Sequence, residues 1–361
     1  MTQDRWSEVM RLLVEAIPSG AAGAAGAAGA AGAAGASGAA IPAGVATVVV
    51  DGTDERTGQV ADRLAAALDA AGRPCTRLPS PTGDVPDTGA VLSGGAVVVA
   101  DGPTARERPP AGGWDVVVWL RTSRRQHAAD GARGDTADVV VDLHDPEWPV
   151  IRHVAPRLLP HERWHLAESR AFFGVRADTW DAKFGDDLPA YAAAVEAAAL
   201  PPGGVVVDVG CGTGRALPAL RAAVGPTGTV IGLDHTPQML AKAREKGNGG
   251  LVLADAGRLP FADGSVDAVF AAGLVMHLPD PADGLRELAR VTRPGGRLVL
   301  FHPTGRATLA ARHGRVLRAD EPLAEGPLTA TTAASGWRLT TYDDGADRFL
   351  ALADRTAHPA L

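Results

Sequence analysis

The chain reads as an α/β protein of two units, the second a doubly wound parallel sheet with an antiparallel edge. Three observations carry that expectation. Short Val-rich runs alternate with helical or irregular stretches from Ala46 onward, the pattern of strand–crossover–strand units. The alternation breaks once, at the Pro-rich stretch 149–162, and then restarts. Charge divides unevenly across that break. Residues 1–150 hold 12 Arg, no Lys and 19 Asp+Glu, whereas residues 151–361 hold 23 basic and 23 acidic residues. A shift of this kind marks two units of different origin.

Taken in order, 4–17 reads as an amphipathic helix, because Trp6, Val9, Leu12, Leu13 and Ile17 recur at helical spacing. Five Ala-Ala-Gly triplets follow from Ala21 to Gly35; without proline they read as a flexible linker rather than collagen. Ala46–Val50, Ala96–Ala100, Asp115–Leu120 and Asp138–Leu143 read as strands, and Thr57–Ala71 as a helix. After the break, Ser169–Phe173 and Pro189–Ala199 read as helices. Strands follow at Val205–Val209, Thr229–Leu233, Gly250–Ala254, Val266–Ala271 and Arg297–Phe301. Helices at Arg215–Ala223, Pro237–Glu245 and Pro281–Thr292 alternate with them. Trp337–Tyr342 and Arg348–Ala353 read as a closing antiparallel pair. The expected organisation is 1–43 helix and linker, 44–150 first α/β domain, 151–165 linker, and 166–361 second α/β domain.

Composition narrows the function. The 361 residues are 46% hydrophobic and 21% charged, which suits a packed core. A net charge of −7 argues against a general nucleic-acid binder. Two cysteines without a C-x-x-C pair argue against a zinc ribbon or disulfide framework, and no metal is expected. No apolar run reaches the roughly 18 residues of a membrane span, and the N-terminus lacks the apolar core of a signal peptide. The expected location is the cytoplasm. Oligomeric state is not encoded in any motif.

The chemistry concentrates after the break. Val205-Val-Val-Asp-Val-Gly-Cys-Gly-Thr-Gly214 is a strand running into a Gly-rich turn and then a helix. Asp234 ends the next strand, where a carboxylate can accept ribose hydroxyls. Asp255-Ala256 follows the third strand, and Arg293-Pro-Gly-Gly-Arg297 turns the chain into the fifth. A dinucleotide oxidoreductase fits poorly: its G-x-G-x-x-G/A fingerprint is not met, and Asp255 and the Pro-Gly-Gly turn have no role in it.

VVDVGCGTGRAL, VIGLDHTPQML, LADAGRLPFADGSVDAVFAAGLVMHLPDP and ELARVTRPGGRLVLF, in this order, resemble class I S-adenosylmethionine-dependent methyltransferases, near the ubiquinone/menaquinone-biosynthesis-like group. The resemblance runs from about Phe172 to the C-terminus and implies a Rossmann-like seven-stranded methyltransferase domain with S-adenosylmethionine as cofactor. It further implies that Gly210, Cys211, Gly212 and Gly214 line the methionine and ribose part. Asp208 would orient the amino group, and Asp234 would hold the ribose. His235 and Met239 would flank the adenine, Asp255 and Ala256 would read its edge, and Gly273 with Leu274–His277 would face the methyl group. His277 is the candidate catalytic base, needed only when the acceptor is a hydroxyl or protonated amine. His302, Arg306 and His313, in a basic stretch after the fifth strand, are candidate substrate residues, and Phe172, Phe173, Trp180 and Tyr191 a candidate lid. The acceptor is expected to be a small molecule, with O-, N- and C-methylation all open.

The first half, over about 44–152, resembles uridine-kinase-like P-loop proteins through VVVDGTDERTGQVADRL, VVVADGPTARERPPAGGWDVVVWLRTS and ADVVVDLHDPEWPVI. It departs where phosphate chemistry needs it most. Counted from Gly52, the Walker Gly, Lys and Ser/Thr positions hold Thr57, Gly58 and Gln59. Without a lysine, the expectation is a degenerate, catalytically dead P-loop-like domain. The alternatives are a bifunctional nucleoside kinase–methyltransferase and a non-catalytic cofactor-binding protein.

Overall fold

The computed structural model describes residues 4–19, 44–52, 56–78, 96–110, 112–122, 136–159, 163–184, 186–247, 250–312 and 316–357. The chain divides into two compact units, Met1–Trp164 and His165–Leu361.

The first unit contains β1 (Ala46–Gly52), β2 (Cys75–Arg77), β3 (Val97–Asp101), β4 (Val116–Arg121), β5 (Val139–Asp142) and β6 (Val150–Val154) in one sheet of order β2-β3-β1-β4-β5-β6. All neighbours are parallel except β5 and β6. The Val-rich strands are buried on both faces, as parallel strands require. Val150–Val154, expected within a linker, is instead this antiparallel edge strand. Its prolines flank the strand rather than interrupt it, so the ladder survives.

Helix α1 (Arg5–Ala16) begins at Asp4, whose carboxylate accepts from the Trp6 N–H at 3.2 Å. Its apolar stripe, Val9, Met10, Leu12 and Leu13, joins Leu64 and Leu68 of α2 (Thr57–Ala70) and the β1 valines in one core. Arg5 and Trp6 donate to the carbonyls of Pro149 and Pro146, and Arg73 donates to those of Val14, Ile17 and Pro18. The helix expected to stand apart is thus built into the unit. Short α3 (Gly102–Glu107) follows β3.

The second unit contains all but the first two residues of α4 (Arg163–Gly174), then α5 (Trp180–Phe184), α6 (Leu188–Ala197) and a seven-stranded sheet. Its strands are β7 (Val205–Val209), β8 (Thr229–Asp234), β9 (Gly250–Leu253), β10 (Val266–Ala272), β11 (Thr292–His302), β12 (Trp337–Asp344) and β13 (Phe349–Arg355). The order is β12-β13-β11-β10-β7-β8-β9. The first five strands are parallel, and β13 pairs antiparallel with both β11 and β12. Helices α7 (Leu217–Val224), α8 (Pro237–Glu245), α9 (Pro281–Val291), α10 (Arg306–Arg312) and α11 (Glu325–Ala334) complete it. One core holds Leu217, Leu220, Phe270 and Phe301; another holds Leu285, Leu288, Phe349 and Trp337, whose indole N–H donates to Leu285 O at 2.9 Å.

β7 has β8 on one side and β10 on the other. The order reverses there, and the carboxyl ends of strands at such a switch point form the binding crevice of doubly wound sheets.

Candidate functional site

The site grows from the carboxyl end of β7. Valines on both faces bury the strand, and that burial carries Asp208 into the interior with 1% exposure. Among the described residues, neither Asp208 carboxylate oxygen has a hydrogen-bond partner. Burial first, and the charge of Asp234 second, push its pKa up to about 8. A buried orphan carboxylate is costly; at a crevice it marks a place for a cationic ligand group.

The turn after β7 is held open by its glycines. Gly210, Gly212 and Gly214 all have φ between +52° and +80°, where side chains are strained. A Cβ on Gly214 would also lie 2.9 Å from Leu217 Cδ1 and 3.1 Å from Ala243 Cβ. Asp234 fixes the turn. Its Oδ2 accepts from Gly212 N at 2.9 Å and its Oδ1 from Thr236 N at 2.7 Å. The N–H groups of Gly210 and Cys211 donate to Leu233 O. Cys211 is buried, and burial raises its thiol pKa; it packs against the sheet and has no thiolate character to offer.

His235 follows Asp234 directly. Its Nε2 lies 3.0 Å from Ser169 Oγ, and its carbonyl accepts from Arg170 Nε at 2.7 Å. Burial lowers its pKa, against the raising effect of Asp234, and favours the neutral ring. Met239 is 2% exposed, on the buried face of α8. Asp255 is exposed at the end of β9 and accepts from Gly257 N at 2.9 Å, with Ala256 half-buried beside it. Gly273 turns at φ +67° after β10 and donates to Phe301 O. His277 ends the single turn Val275–His277, its ring edge-on to Phe173 at 5.2 Å.

Phe173 also meets His235 at 6.3 Å and Trp180 at 5.5 Å. It therefore stands between the two histidines. Tyr191 departs from the other aromatics of the expected lid: it packs on Phe301 and Phe270 within the sheet core.

Sequence reasoning missed a polar cluster that ties α5 to the Gly-rich turn. Asp181 accepts from Thr213 Oγ1 at 2.5 Å, Arg215 at 3.0 Å and Lys246 at 2.5 Å, and Arg215 also bonds Asp187. The partners are 28 to 65 positions apart, so no local spacing announces them.

Within the expected basic stretch, two arginines are paired with carboxylates. Arg306 bonds Tyr342 Oη at 3.1 Å, Asp344 at 3.3 Å and Glu321 at 3.1 Å, which fixes its guanidinium in the fold rather than presenting it to a substrate. Arg318 pairs with Asp320. His313 lies outside the described residues. Replacing Arg306 by alanine should lower the stability of the second unit by about 2 kcal/mol, since two partly buried carboxylates lose their partner. Melting of the full chain checks this, with cofactor affinity expected to stay unchanged. Among the described residues no cluster of His, Cys, Asp and Glu is arranged to hold a metal, and no helix is long and apolar enough to cross a membrane.

Residues 207–300, within the seven-stranded unit, match the model of a methyltransferase domain family, a match that implies S-adenosylmethionine as cofactor. Curated relatives are similar over part of the chain. Methyltransferase GfsG of Streptomyces halstedii is 38% identical over 142 residues, covering 38% of this chain and 49% of that protein. A demethylmenaquinone methyltransferase of Staphylococcus aureus is 43% identical over 107 residues, covering 28% and 44%. An uncharacterised 37.1 kDa protein in transposon TN4556 of Streptomyces fradiae is 42% identical over 106 residues, covering 28% and 31%. The chain thus spans less than half the length of each of these relatives.

Proposed function

We propose that this protein transfers a methyl group from S-adenosylmethionine to a small-molecule acceptor. The observation that carries the reading is Asp208, a buried carboxylate without partners beside a glycine turn braced by a second carboxylate. These groups fit the cofactor. Asp208 would pair with its ammonium, and Gly210, Cys211, Gly212 and Gly214 leave room for close backbone approach. Asp234 keeps free lone pairs for ribose hydroxyls after accepting two N–H bonds. Met239, His235, Asp255 and Ala256 would border the adenine. When bound, the cofactor supplies an electrophilic methyl on a sulfonium; the protein's part is largely positioning. Gly273 and His277 would border the acceptor, with the Phe173 ring excluding water from the reacting pair. The names of two relatives, which act in methylation, support the reaction class.

The first unit we read as a degenerate kinase-like domain without phosphate chemistry. Its strand-end carboxylates are already neutralised by its own arginines: Asp51 by Arg106 at 3.2 Å, Asp101 by Arg77, and Asp142 by Arg121. No lysine is present to neutralise a triphosphate.

Calorimetric titration of the full chain tests both readings. S-adenosylmethionine is expected to bind saturably at one site, and ATP-Mg²⁺ not at all. Absence of S-adenosylmethionine binding to the folded chain would sink the methyltransferase proposal. ATP binding would restore the bifunctional alternative.

A further inference from the structure

The carboxyl end of β11 holds a histidine whose chemistry is fixed by the backbone. His302 Nδ1 lies 2.8 Å from the carbonyl oxygen of Thr304. A carbonyl can only accept, so Nδ1 carries the proton, and Nε2 of the neutral ring carries a lone pair. Burial, the largest influence, lowers the pKa of His302 and keeps the ring neutral near pH 7. The Thr304 carbonyl hydrogen bond and Asp187, before α6, act to raise it, and Arg312, on α10, acts to lower it.

The register places this ring at the crevice. Asp208 pairs with Phe270 across β7 and β10, and Ala272 pairs with Phe301 across β10 and β11. The Asp208 row crosses β10 at Phe270 and β11 at Val299, so His302 lies two strands over and three residues beyond that row, about 10 Å sideways and about 10 Å further toward the carboxyl end by ordinary strand dimensions. Its edge is turned toward the β10 turn: a Cβ on Gly273 would lie 3.9 Å from His302 Cδ2, the carbon bonded to Nε2. His277, by contrast, is part of the aromatic wall around Phe173.

We propose that His302, not His277, is the general base, and that the acceptor is therefore a hydroxyl compound or a protonated amine whose proton passes to His302 Nε2. The proposal rests on the methyltransferase reading. For a hydroxyl acceptor, as its oxygen bonds to the methyl carbon, the carbon–sulfur bond breaks and its electron pair stays on sulfur. The sulfonium becomes a neutral thioether, the hydroxyl proton moves to Nε2, and the positive charge ends on the imidazolium. The Thr304 carbonyl then stabilises that imidazolium through Nδ1–H.

The test is a histidine side-chain ¹H–¹⁵N titration of the full chain. It is run free, with S-adenosylmethionine and with S-adenosylhomocysteine, and binding of each is verified by calorimetry. His302 signals are assigned by H302Q or, should that variant not fold, through backbone-linked correlations. The free protein should show the Nδ1–H tautomer. The His302 midpoint should fall by about half a pH unit or more with the sulfonium relative to the neutral thioether, because a like charge nearby disfavours imidazolium. An Nε2–H tautomer, or identical midpoints with two bound ligands, overturns the base assignment alone. Failure of both ligands to bind overturns the methyltransferase reading with it.

Discussion

Replacing Asp234 by alanine is expected to weaken S-adenosylmethionine binding more than 100-fold. The carboxylate has two tasks in one place. It accepts the Gly212 and Thr236 N–H groups at 2.9 and 2.7 Å, and it would accept ribose hydroxyls with its remaining lone pairs. Hydrogen bonds to a charged acceptor contribute about 1.5–3 kcal/mol each. Loss of the turn's brace and the ribose contact therefore amounts to about 3 kcal/mol or more, and each 1.4 kcal/mol is about tenfold in affinity. Asp234→Asn should be nearly as damaging. The amide would have to place its NH₂ against one of the two backbone N–H groups, donor facing donor. Calorimetry of both variants at one pH checks the loss. An affinity within a few-fold of wild type in Asp234→Ala would show that the turn holds itself and that the ribose lies elsewhere.

Much of this architecture is legible in sequence because it is local. The Val-rich strands β7 and β10, each ending at glycine, read directly, as does the helix start at Asp280-Pro281, where the Asp280 carboxylate accepts from Ala282 and Asp283 N–H. What escapes is contact at long range. Nothing within residues 1–17 says that Arg5 will bond a carbonyl 144 positions away. Arg306 reads as a free cation because Glu321, Tyr342 and Asp344 come 15 to 38 positions later. Likewise the chemistry of His302 is hidden in sequence: its tautomer is set by the carbonyl of Thr304, and every residue has a carbonyl. The sequence pattern marks the crevice through its glycines and aspartates; partner geometry then decides which ring nitrogen of His302 carries the lone pair.

Asp208 sets the second large effect, and here pH is the lever. With its pKa pushed up to about 8, chiefly by burial, Asp208 is mostly protonated in the free protein at pH 7. An ammonium paired with it favours the ionised form. Cofactor binding should therefore release close to one proton at pH 7, read as a dependence of calorimetric heat on the buffer's ionisation enthalpy. Observed affinity should rise about 20-fold from pH 6.5 to 8.5, following ionisation of the free carboxyl. Asp208→Asn removes the slope and the ion pair together: binding becomes weak and flat with pH. Stability moves the other way. A carboxyl whose folded pKa is raised contributes fully below its unfolded value near 3.8, and that contribution is lost as pH climbs to about 8. The free Asn variant should thus gain on wild type across that window, by about 2 kcal/mol at pH 8.5, because it no longer buries an unpartnered charge. S-adenosylmethionine should close the gap for wild type only. If the variant melts lower than wild type at pH 8.5, Asp208 has a partner in the free protein, and the orphan carboxylate cannot be what draws the cofactor's ammonium.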